Sequence, residues 1–253
     1  MSSETRFEFT RKDLDVFLKE LAKEYRKRAG KTIPAELILV GGASVLINYG
    51  FRDMTTDIDT LIHASSAMKD AVRLVGDRLS LPNGWLNEDF RQTDSYSPKL
   101  AEFSVYYKTW SNILTVRTIS AEYLVAMKLR SGRQYKNDLS DVIGILAEHE
   151  RKGAPLQMKQ IQKAVSDLYG SWDQLPETSQ AFIQNVFRDG HFEQLYSRIA
   201  MEEKNARALL IRFDRDYPNA LKKENADIVA EGLQKKTDSA SLLAVLRKMI
   251  DDK

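Results

Sequence analysis

The chain of 253 residues contains no cysteine, and it contains only three histidines, His63, His149 and His191. Without cysteine there can be no disulfide bridge, no thiolate metal site and no cysteine nucleophile. Three widely separated histidines also argue against a histidine-rich zinc site. The sequence therefore offers no support for a disulfide-stabilised fold, a cysteine enzyme or a typical zinc protein.

Several other signatures are missing. There is no run of eighteen apolar residues, and the first twelve residues are polar and mixed in charge, so we expect neither a membrane span nor a secretory signal. A nucleophile elbow, a Walker A lysine and a dinucleotide glycine fingerprint are also lacking, which leaves hydrolases and dehydrogenases unsupported. We expect a cytoplasmic protein with no membrane partner.

The numbers of basic and acidic residues are nearly equal, at 38 and 36. A net charge of +2 is no signature of nucleic-acid binding, so any contact with RNA has to come from a local patch. Two clusters are candidates, although the first could equally be a solvated helix face and the second is more typical of one. The first comprises Lys128, Arg130, Arg133 and Lys136, and the second Lys222, Lys223, Lys235 and Lys236.

With 43% hydrophobic residues the chain can bury a substantial core. In its first part, Thr10 and Asp13 form a capping-box pattern that opens a helix over residues 10–29. An apolar strand is predicted at 35–40 and a second at 57–62. Two more, 102–107 and 113–119, are separated by a hairpin-sized interval and should be antiparallel neighbours. Further helices are predicted at 44–49, 66–79, 120–131 and 137–151, and residues 85–98 look like a loop.

Gly153-Ala154-Pro155 is the clearest boundary in the chain. Beyond it the patterns are helical only, at about 156–169, 177–188, 191–214, 219–235 and 238–251. We therefore predict an α+β fold, in which a domain over residues 1–153 has a small mixed sheet flanked by helices. An all-helical domain over residues 154–253 completes the predicted organisation.

The most informative segment is the apolar strand that ends in Val40-Gly41-Gly42-Ala43-Ser44. A glycine turn between a strand and a helix can present backbone amides to phosphates, helped by the helix N-terminus. A Gly-Gly pair after a strand is most often only a turn. A functional interpretation therefore needs support from residues further along the chain.

Asp57 and Asp59 lie fifteen and seventeen residues after Gly42, at the start of the second predicted strand. Residues two apart on a strand point to the same face, with Cα atoms about 6.5–7 Å apart. Magnesium prefers carboxylate and phosphate oxygens, and it assists in-line displacement at phosphorus. The pair therefore indicates a magnesium site, whereas an isolated Asp-x-Asp would more often be solvated.

This combination resembles the nucleotidyltransferase superfamily, in which an apolar residue, Gly-Gly or Gly-Ser, a short helix and Asp-x-Asp recur in this order. Over residues 35–150 the chain is most similar to the bacterial AbiEii-type toxin nucleotidyltransferases and related uncharacterised proteins. The stretches that carry the likeness are 41–44, Gly50-Phe51-Arg52, 55–59, 122–129 and 133–141.

The resemblance implies roles for individual residues. Gly41 and Gly42, with Ser44 and Thr56, would bind the nucleotide, and Asp57 and Asp59 would bind Mg2+. Lys128 matches a helix lysine near the nucleotide, but it could also be a lysine that extends to solvent along its helix. The accessory candidates are Arg133, Lys136 and Asp138, although Asp138 could instead be a helix cap or an ion-pair partner.

Active members of the superfamily usually supply a third carboxylate from a later strand, as general base or metal ligand. Glu102, at the start of the strand predicted at 102–107, is the best-placed candidate. The next strand contains Leu114-Thr115-Val116-Arg117 and no acid. The loop residues Glu88, Asp89 and Asp94 are alternatives that would be less well positioned.

We therefore expect a magnesium-dependent nucleotidyltransferase that moves a nucleoside monophosphate from an NTP to a hydroxyl acceptor. By resemblance, the acceptor would be RNA such as tRNA, in a toxin–antitoxin or phage-defence setting. The alternatives are a small-molecule acceptor of the antibiotic type, or a catalytically weak nucleotide-binding or interaction module. The helical domain could serve assembly, either as a homodimer or with a cognate antitoxin.

Overall fold

A computed structural model describes residues 8–133, 136–222 and 225–235. The chain divides into two compact units that alternate along the sequence. The first unit extends to Arg130 and also includes Leu156–Gln174. The second contains the described residues of Ser131–Pro155 and those from Leu175 onward. This division differs from the single boundary that the sequence suggests at Gly153.

The described residues form nine α-helices, α1 to α9. In chain order they are Arg11–Ala29, Gly41–Asn48, Ala67–Leu79, Ala121–Ser131, Asp138–Arg151, Met158–Tyr169, Glu177–Asp189, Phe192–Asp216 and Ala226–Gln234. Short 3₁₀ helices occur at Asp89–Gln92, Pro98–Phe103 and Trp172–Gln174. Among the described residues, none of the helices combines the length and the apolar character needed to cross a bilayer.

A five-stranded mixed sheet lies in the first unit. Its strands are β1 (Ala35–Leu39), β2 (Ile58–His63), β3 (Leu86–Asn87), β4 (Ser104–Trp110) and β5 (Leu114–Ile119). The order across the sheet is β3-β2-β1-β5-β4. Strand β1 is central, antiparallel to β2 and parallel to β5, while β4 and β5 form the antiparallel pair that the sequence predicts. The edge strand β3 lies within the predicted loop.

Helix α1 shows how local sequence builds this unit. The Thr10 hydroxyl accepts a hydrogen bond from the Asp13 amide, and the Asp13 carboxylate accepts one from the Thr10 amide. These two bonds form a capping box and confirm the predicted helix start. Leu14, Leu18 and Leu21 recur at helical spacing and are fully buried. They join a core that also contains residues of α3 and the inward side of β1, β2 and β5. The sheet is therefore held from one side by α1 and α3.

The predicted architecture, a small mixed sheet flanked by helices with a helical C-terminal region, is confirmed. Most helix bounds agree to within a few residues. The helix predicted at 219–235 begins later, at Ala226. Asn219, which follows Pro218, has a positive φ and therefore cannot belong to a right-handed helix. The helix predicted at 238–251 lies outside the described residues.

Candidate functional site

The glycine turn joins β1 directly to α2. Strand β1 ends at Leu39 and α2 begins at Gly41, whose φ of +54° lies in the left-handed region that favours glycine. Val40 precedes the helix without a side-chain capping bond, and the first turn contains no acidic residue. The first amides of a helix have no partner within the helix. The turn therefore has the backbone arrangement of an anion-binding helix end.

The carboxylate of Asp59 lies beside this turn. Its Oδ2 is 3.5 Å from the point where a Cβ of Gly41 would be. The two segments are tied together by the amide of Val40, which donates to the carbonyl of Asp59 at 3.0 Å. A carboxylate from β2 thus meets the beginning of α2, so an acid and a helix N-terminus border the same space.

Asp57 precedes β2 and is exposed, while Asp59 is half-buried within the strand. Ile58 between them is fully buried and its amide donates to the Trp85 carbonyl at 2.9 Å. The predicted strand start at Asp57 is therefore one residue early. An apolar anchor between two acids keeps this segment in place and leaves Asp57 accessible to a cation from solvent.

Two residues that sequence reasoning left without a role, Arg52 and Thr55, lie against Gly42. A Cβ on Gly42 would be 2.8 Å from Arg52 Nη2 and 2.8 Å from Thr55 Oγ1. Only glycine permits this close approach without a shift of its neighbours. A signal was present in the sequence, because both residues lie in the segment that connects the glycine turn to the aspartates.

Thr55 holds that connecting segment in position. Its hydroxyl donates to the carbonyl of Asp57 at 3.1 Å, and the residue is 3% exposed. Its amide and carbonyl pair with those of Phe9 at 2.9 and 2.7 Å. The Phe9 ring packs edge-on against Phe17 of α1, with 5.3 Å between the ring centroids. The aspartate segment is therefore anchored to the N-terminal part of the chain.

The other expected nucleotide contacts occupy different environments. Ser44 is fully buried in α2, and its hydroxyl accepts a hydrogen bond from the Ile119 amide at 3.1 Å. Its side chain thus joins α2 to β5. Thr56 is exposed beside Asp57, and Lys128 is 7% exposed in α4. Ser44 therefore has a structural partner, whereas Thr56 is accessible to solvent next to Asp57 in the sequence.

The prediction that Glu102 begins a strand is wrong. Glu102 lies in the 3₁₀ helix Pro98–Phe103, and β4 begins only at Ser104. The Ser97 side chain accepts from the Lys99 amide and Pro98 occupies the first turn, so this segment starts as a helix. Within the described ranges, no three Asp, Glu or His side chains form a group suited to a metal ion. Glu102 therefore does not join Asp57 and Asp59 in such a group.

Of the three loop acids, Glu88 uses its carboxylate to bind other residues of the chain, whereas the contacts of Asp89 and Asp94 described below are made by their backbone groups. The Glu88 carboxylate accepts from the Ile62 amide at 3.0 Å and pairs with Arg91 at 2.8 Å. Glu88 therefore supports the far end of β2. The Asp89 amide donates to the Asn87 side chain at 2.8 Å, and the Asp94 carbonyl accepts from Arg130 at 3.3 Å.

The expected accessory residues belong to the second unit. Asp138 is buried at the start of α5 and forms a two-point ion pair with Arg133, with Nε–Oδ2 and Nη2–Oδ1 distances of 2.7 and 3.3 Å. Lys136 is exposed. The ion-pair alternative for Asp138 is thus confirmed.

Glu203 of α8 lies at this same helix start. Its carboxylate accepts from the Leu139 amide at 2.9 Å and from the amide and hydroxyl of Ser140. Glu203 therefore caps α5, since the Asn137 side chain provides no cap and instead accepts from Arg207. Burial raises the pKa of Glu203 to about 7, although the bonds from Ser140 and Leu139 act against this rise.

The donor set at the aspartates fits magnesium. Mg2+ in proteins is commonly held by one or two carboxylates, while waters and substrate phosphates complete its coordination. Asp59 supplies one such carboxylate beside the turn, and Asp57, two residues earlier, supplies an exposed one. Two carboxylates would therefore be sufficient for a magnesium ion that arrives with a nucleotide.

Comparison with known proteins agrees with this geometry. Residues 16–148 match the family described as "Nucleotidyltransferase of unknown function (DUF6036)", and this match spans more than half of the chain. The chain belongs to this family, and hence to the nucleotidyltransferases. The matched region contains the whole sheet, the glycine turn and both aspartates. No curated protein and no solved structure matches the chain.

Proposed function

We propose that this protein is a magnesium-dependent nucleotidyltransferase that uses an NTP as donor and a hydroxyl group as acceptor. The observation that carries the proposal is the contact between Asp59 and the turn at Gly41, where Oδ2 is 3.5 Å from the Cβ position. The partial positive charge at the helix end attracts anions, whereas the Asp59 carboxylate attracts cations. A ligand that binds here must therefore carry both signs of charge. A metal–triphosphate complex satisfies both.

The proposed reaction is an in-line displacement at the α-phosphorus of the NTP. The acceptor oxygen forms a bond to the α-phosphorus, the bond from that phosphorus to the pyrophosphate oxygen breaks, and the hydroxyl proton passes to solvent. Asp57 and Asp59 would hold Mg2+, which when bound would screen the triphosphate charge and lower the pKa of the attacking hydroxyl. The amides of Gly41 and Gly42 would position the phosphates. Thr56 is adjacent to Asp57 in the chain, and the expected role of Glu102 as general base stays a prediction.

An RNA end such as that of tRNA is the acceptor that we propose first. Its support is the likeness of residues 35–150 to AbiEii-type toxins, and a toxin–antitoxin or phage-defence role follows from the same likeness. A small-molecule acceptor is the second choice. A homodimer or an antitoxin would use the helical second unit, and the cytoplasm is the expected location.

The test is incubation of the full chain with Mg2+, each α-labelled NTP in turn, and total bacterial RNA. A double variant, Asp57→Asn with Asp59→Asn, removes the two charges at constant size. Asp53→Asn is the matched control, because Asp53 is an exposed acid in the same connecting segment. We expect label in RNA with the wild type and with Asp53→Asn, and none with the double variant.

Each other result has a distinct meaning. Transfer to a panel of small hydroxyl compounds but not to RNA would replace the acceptor and keep the enzyme. Magnesium-dependent NTP binding without any transfer would replace the enzyme with a nucleotide-binding module. Absence of both binding and transfer, with a folded protein, would overturn the site.

A further inference from the structure

Asn83 and Gly84 form the only Asn-Gly pair in the sequence, and both residues are exposed in the turn between α3 and β3. The Trp85 amide donates to the Pro82 carbonyl at 3.0 Å and closes the turn, in which Gly84 adopts a φ of +74°. In the described part of the chain, no atom beyond the chain neighbours lies within 4 Å of the Cβ position of Gly84. The Asn83 side chain is therefore next to a backbone nitrogen that no bulky group shields.

This pair has the chemistry for loss of the asparagine amide, a group that is labile in proteins. The Gly84 nitrogen attacks Cγ of Asn83 to form a five-membered imide, while the Cγ–Nδ2 bond breaks and ammonia leaves with the proton from the attacking nitrogen. Water then opens the imide. Cleavage between the nitrogen and Cγ gives aspartate, whereas cleavage at the former main-chain carbonyl gives isoaspartate. Both products add a negative charge, and isoaspartate also lengthens the main chain by one methylene.

The residues on both sides of the turn are held by α3. Trp85 is 3% exposed, and its indole Nε1 donates to the Val72 carbonyl at 3.1 Å. A Cβ on Gly76 would be only 3.1 Å from this Nε1. The Leu81 amide donates to the Gly76 carbonyl at 2.9 Å. An extra methylene between Leu81 and Trp85 would therefore have to disturb one of these contacts or the position of the Trp85 backbone.

The Trp85 backbone also supports the aspartate segment. Its carbonyl accepts from the amide of Ile58, the buried residue between Asp57 and Asp59, at 2.9 Å. Strand β3 continues this pairing and places Asn87 opposite Asp59. A change in the turn thus reaches both candidate metal ligands through a backbone hydrogen bond and an edge strand.

We propose that Asn83 is a site of spontaneous deamidation, and that its isoaspartyl product weakens the magnesium site by displacing the Trp85 carbonyl from the Ile58 amide. Water is the only co-reactant that this modification needs. Its effect on ligand binding rests on the proposed function, whereas its effect on the pairing of β2 with β3 does not.

The first part of the test is incubation of the full chain at mildly alkaline pH, with peptide mass spectrometry at increasing times. Asn112 is the internal control, because it is an exposed turn residue whose neighbour, Ile113, is branched and hinders the attack. Asn83→Gln is the matched variant, since its longer side chain would have to form a six-membered imide.

The second part compares the modified and unmodified proteins. Ion exchange isolates the deamidated pool by its added negative charge. Urea denaturation measures its stability, and calorimetry with Mg2+ and each common NTP in turn measures binding. Freshly prepared Asn83→Asp carries the same added charge on a main chain of normal length, so it separates the effect of charge from that of the extra methylene.

We expect Asn83 to lose its amide well before Asn112, and aged Asn83→Gln to keep its amide. The deamidated pool should unfold at a lower urea concentration than fresh Asn83→Asp. It should bind the metal–nucleotide complex about 2- to 10-fold more weakly, as loss of one hydrogen bond would. Fresh Asn83→Asp and aged Asn83→Gln should match fresh wild type in both measurements.

Two results overturn the inference and leave the proposed function intact. Equal rates of amide loss at Asn83 and Asn112 would show that Asn83 is not a preferred site. Equal urea midpoints for the deamidated pool and fresh Asn83→Asp would show that the longer main chain does not disturb the contact between Trp85 and Ile58. Failure of fresh wild type to bind any NTP would instead contradict the proposed function, and the mass and urea measurements would still decide whether the modification occurs and disturbs this contact.

Discussion

Asp59 and Gly41 meet where β2 passes the beginning of α2, with Asp59 Oδ2 3.5 Å from the Cβ position of Gly41. At this distance a methyl group would make ordinary van der Waals contact, so space alone permits alanine. The backbone does not, because the φ of Gly41 is +54°. The backbone conformation of Gly41 therefore restricts the residue type at this position more than the available space does.

Gly41→Ala should destabilise the fold by about 1 kcal/mol, which is the cost of a left-handed conformation for an L-residue. The methyl group would also lie next to Asp59, so magnesium-dependent NTP binding should weaken. Urea denaturation and calorimetry measure the two effects. Gly50→Ala is the control, because Gly50 has no atom within 4 Å of its Cβ position and should change neither quantity.

Thr55→Val should destabilise the protein by about 1 kcal/mol, because the hydrogen bond from the hydroxyl to the Asp57 carbonyl is lost. Binding of the metal–nucleotide complex should weaken too, since Asp57 loses an anchor. Thr55→Ser keeps the hydroxyl and should bind like wild type. Equal binding by the valine and serine variants would contradict a positioning role for this hydroxyl.

Ser44→Ala should cost about 1–3 kcal/mol of stability, because the buried Ile119 amide loses its acceptor. The affinity of the folded protein for NTP should be unchanged if the side chain is structural. Ser66→Ala provides a comparison, since Ser66 is an exposed residue before α3 whose side chain makes no capping bond. A loss of affinity without a loss of stability would restore Ser44 as a nucleotide contact.

Glu203 should make stability depend on pH. Its pKa is raised from 4.5 to about 7 in the folded state, so the folded protein binds the proton more tightly than the unfolded chain. The resulting stabilisation is fully present below about pH 4.5 and is lost as the pH rises through 7. Between pH 5 and 8, wild type should lose about 2–3 kcal/mol relative to Glu203→Gln.

Chemical denaturation at several pH values checks this expectation. Glu202→Gln is the neighbouring control, because Glu202 is exposed on α8 and should behave like wild type at every pH. A constant difference between wild type and Glu203→Gln across the range would show that Glu203 does not titrate there.

The secondary structure was largely accessible from the sequence because its signals are local. The capping box at Thr10, the spacing of Leu14 and Leu18, and the apolar run at 35–40 act within a few residues of one another. Strand β3 could not be found in this way, because two residues are too few for a pattern. Glu102 was misplaced because a short 3₁₀ helix and a strand start look alike in a mixed sequence.

The same distinction between local signals and long-range contacts applies to the candidate site. Gly41, Gly42, Asp57 and Asp59 stand out by residue type and spacing. The contacts of Gly42 with Arg52 and Thr55, and the bond between Ser44 and Ile119, depend on how separate segments pack. No periodicity in the sequence predicts such contacts. The same holds for the cap that Glu203 provides to Leu139, 64 residues away in the chain.

By itself the sequence determined most of the helices and strands, the class of fold and the two motifs that indicate nucleotidyl transfer, because propensities, caps and residue spacing operate over short stretches of chain. Only the tertiary structure decided that Asp59 lies beside Gly41, that Arg52 lies against Gly42, and that Glu102 lies in a 3₁₀ helix and not at the start of a strand. Those relationships arise when strands pair and a buried core forms, so they depend on residues that are far apart in the sequence.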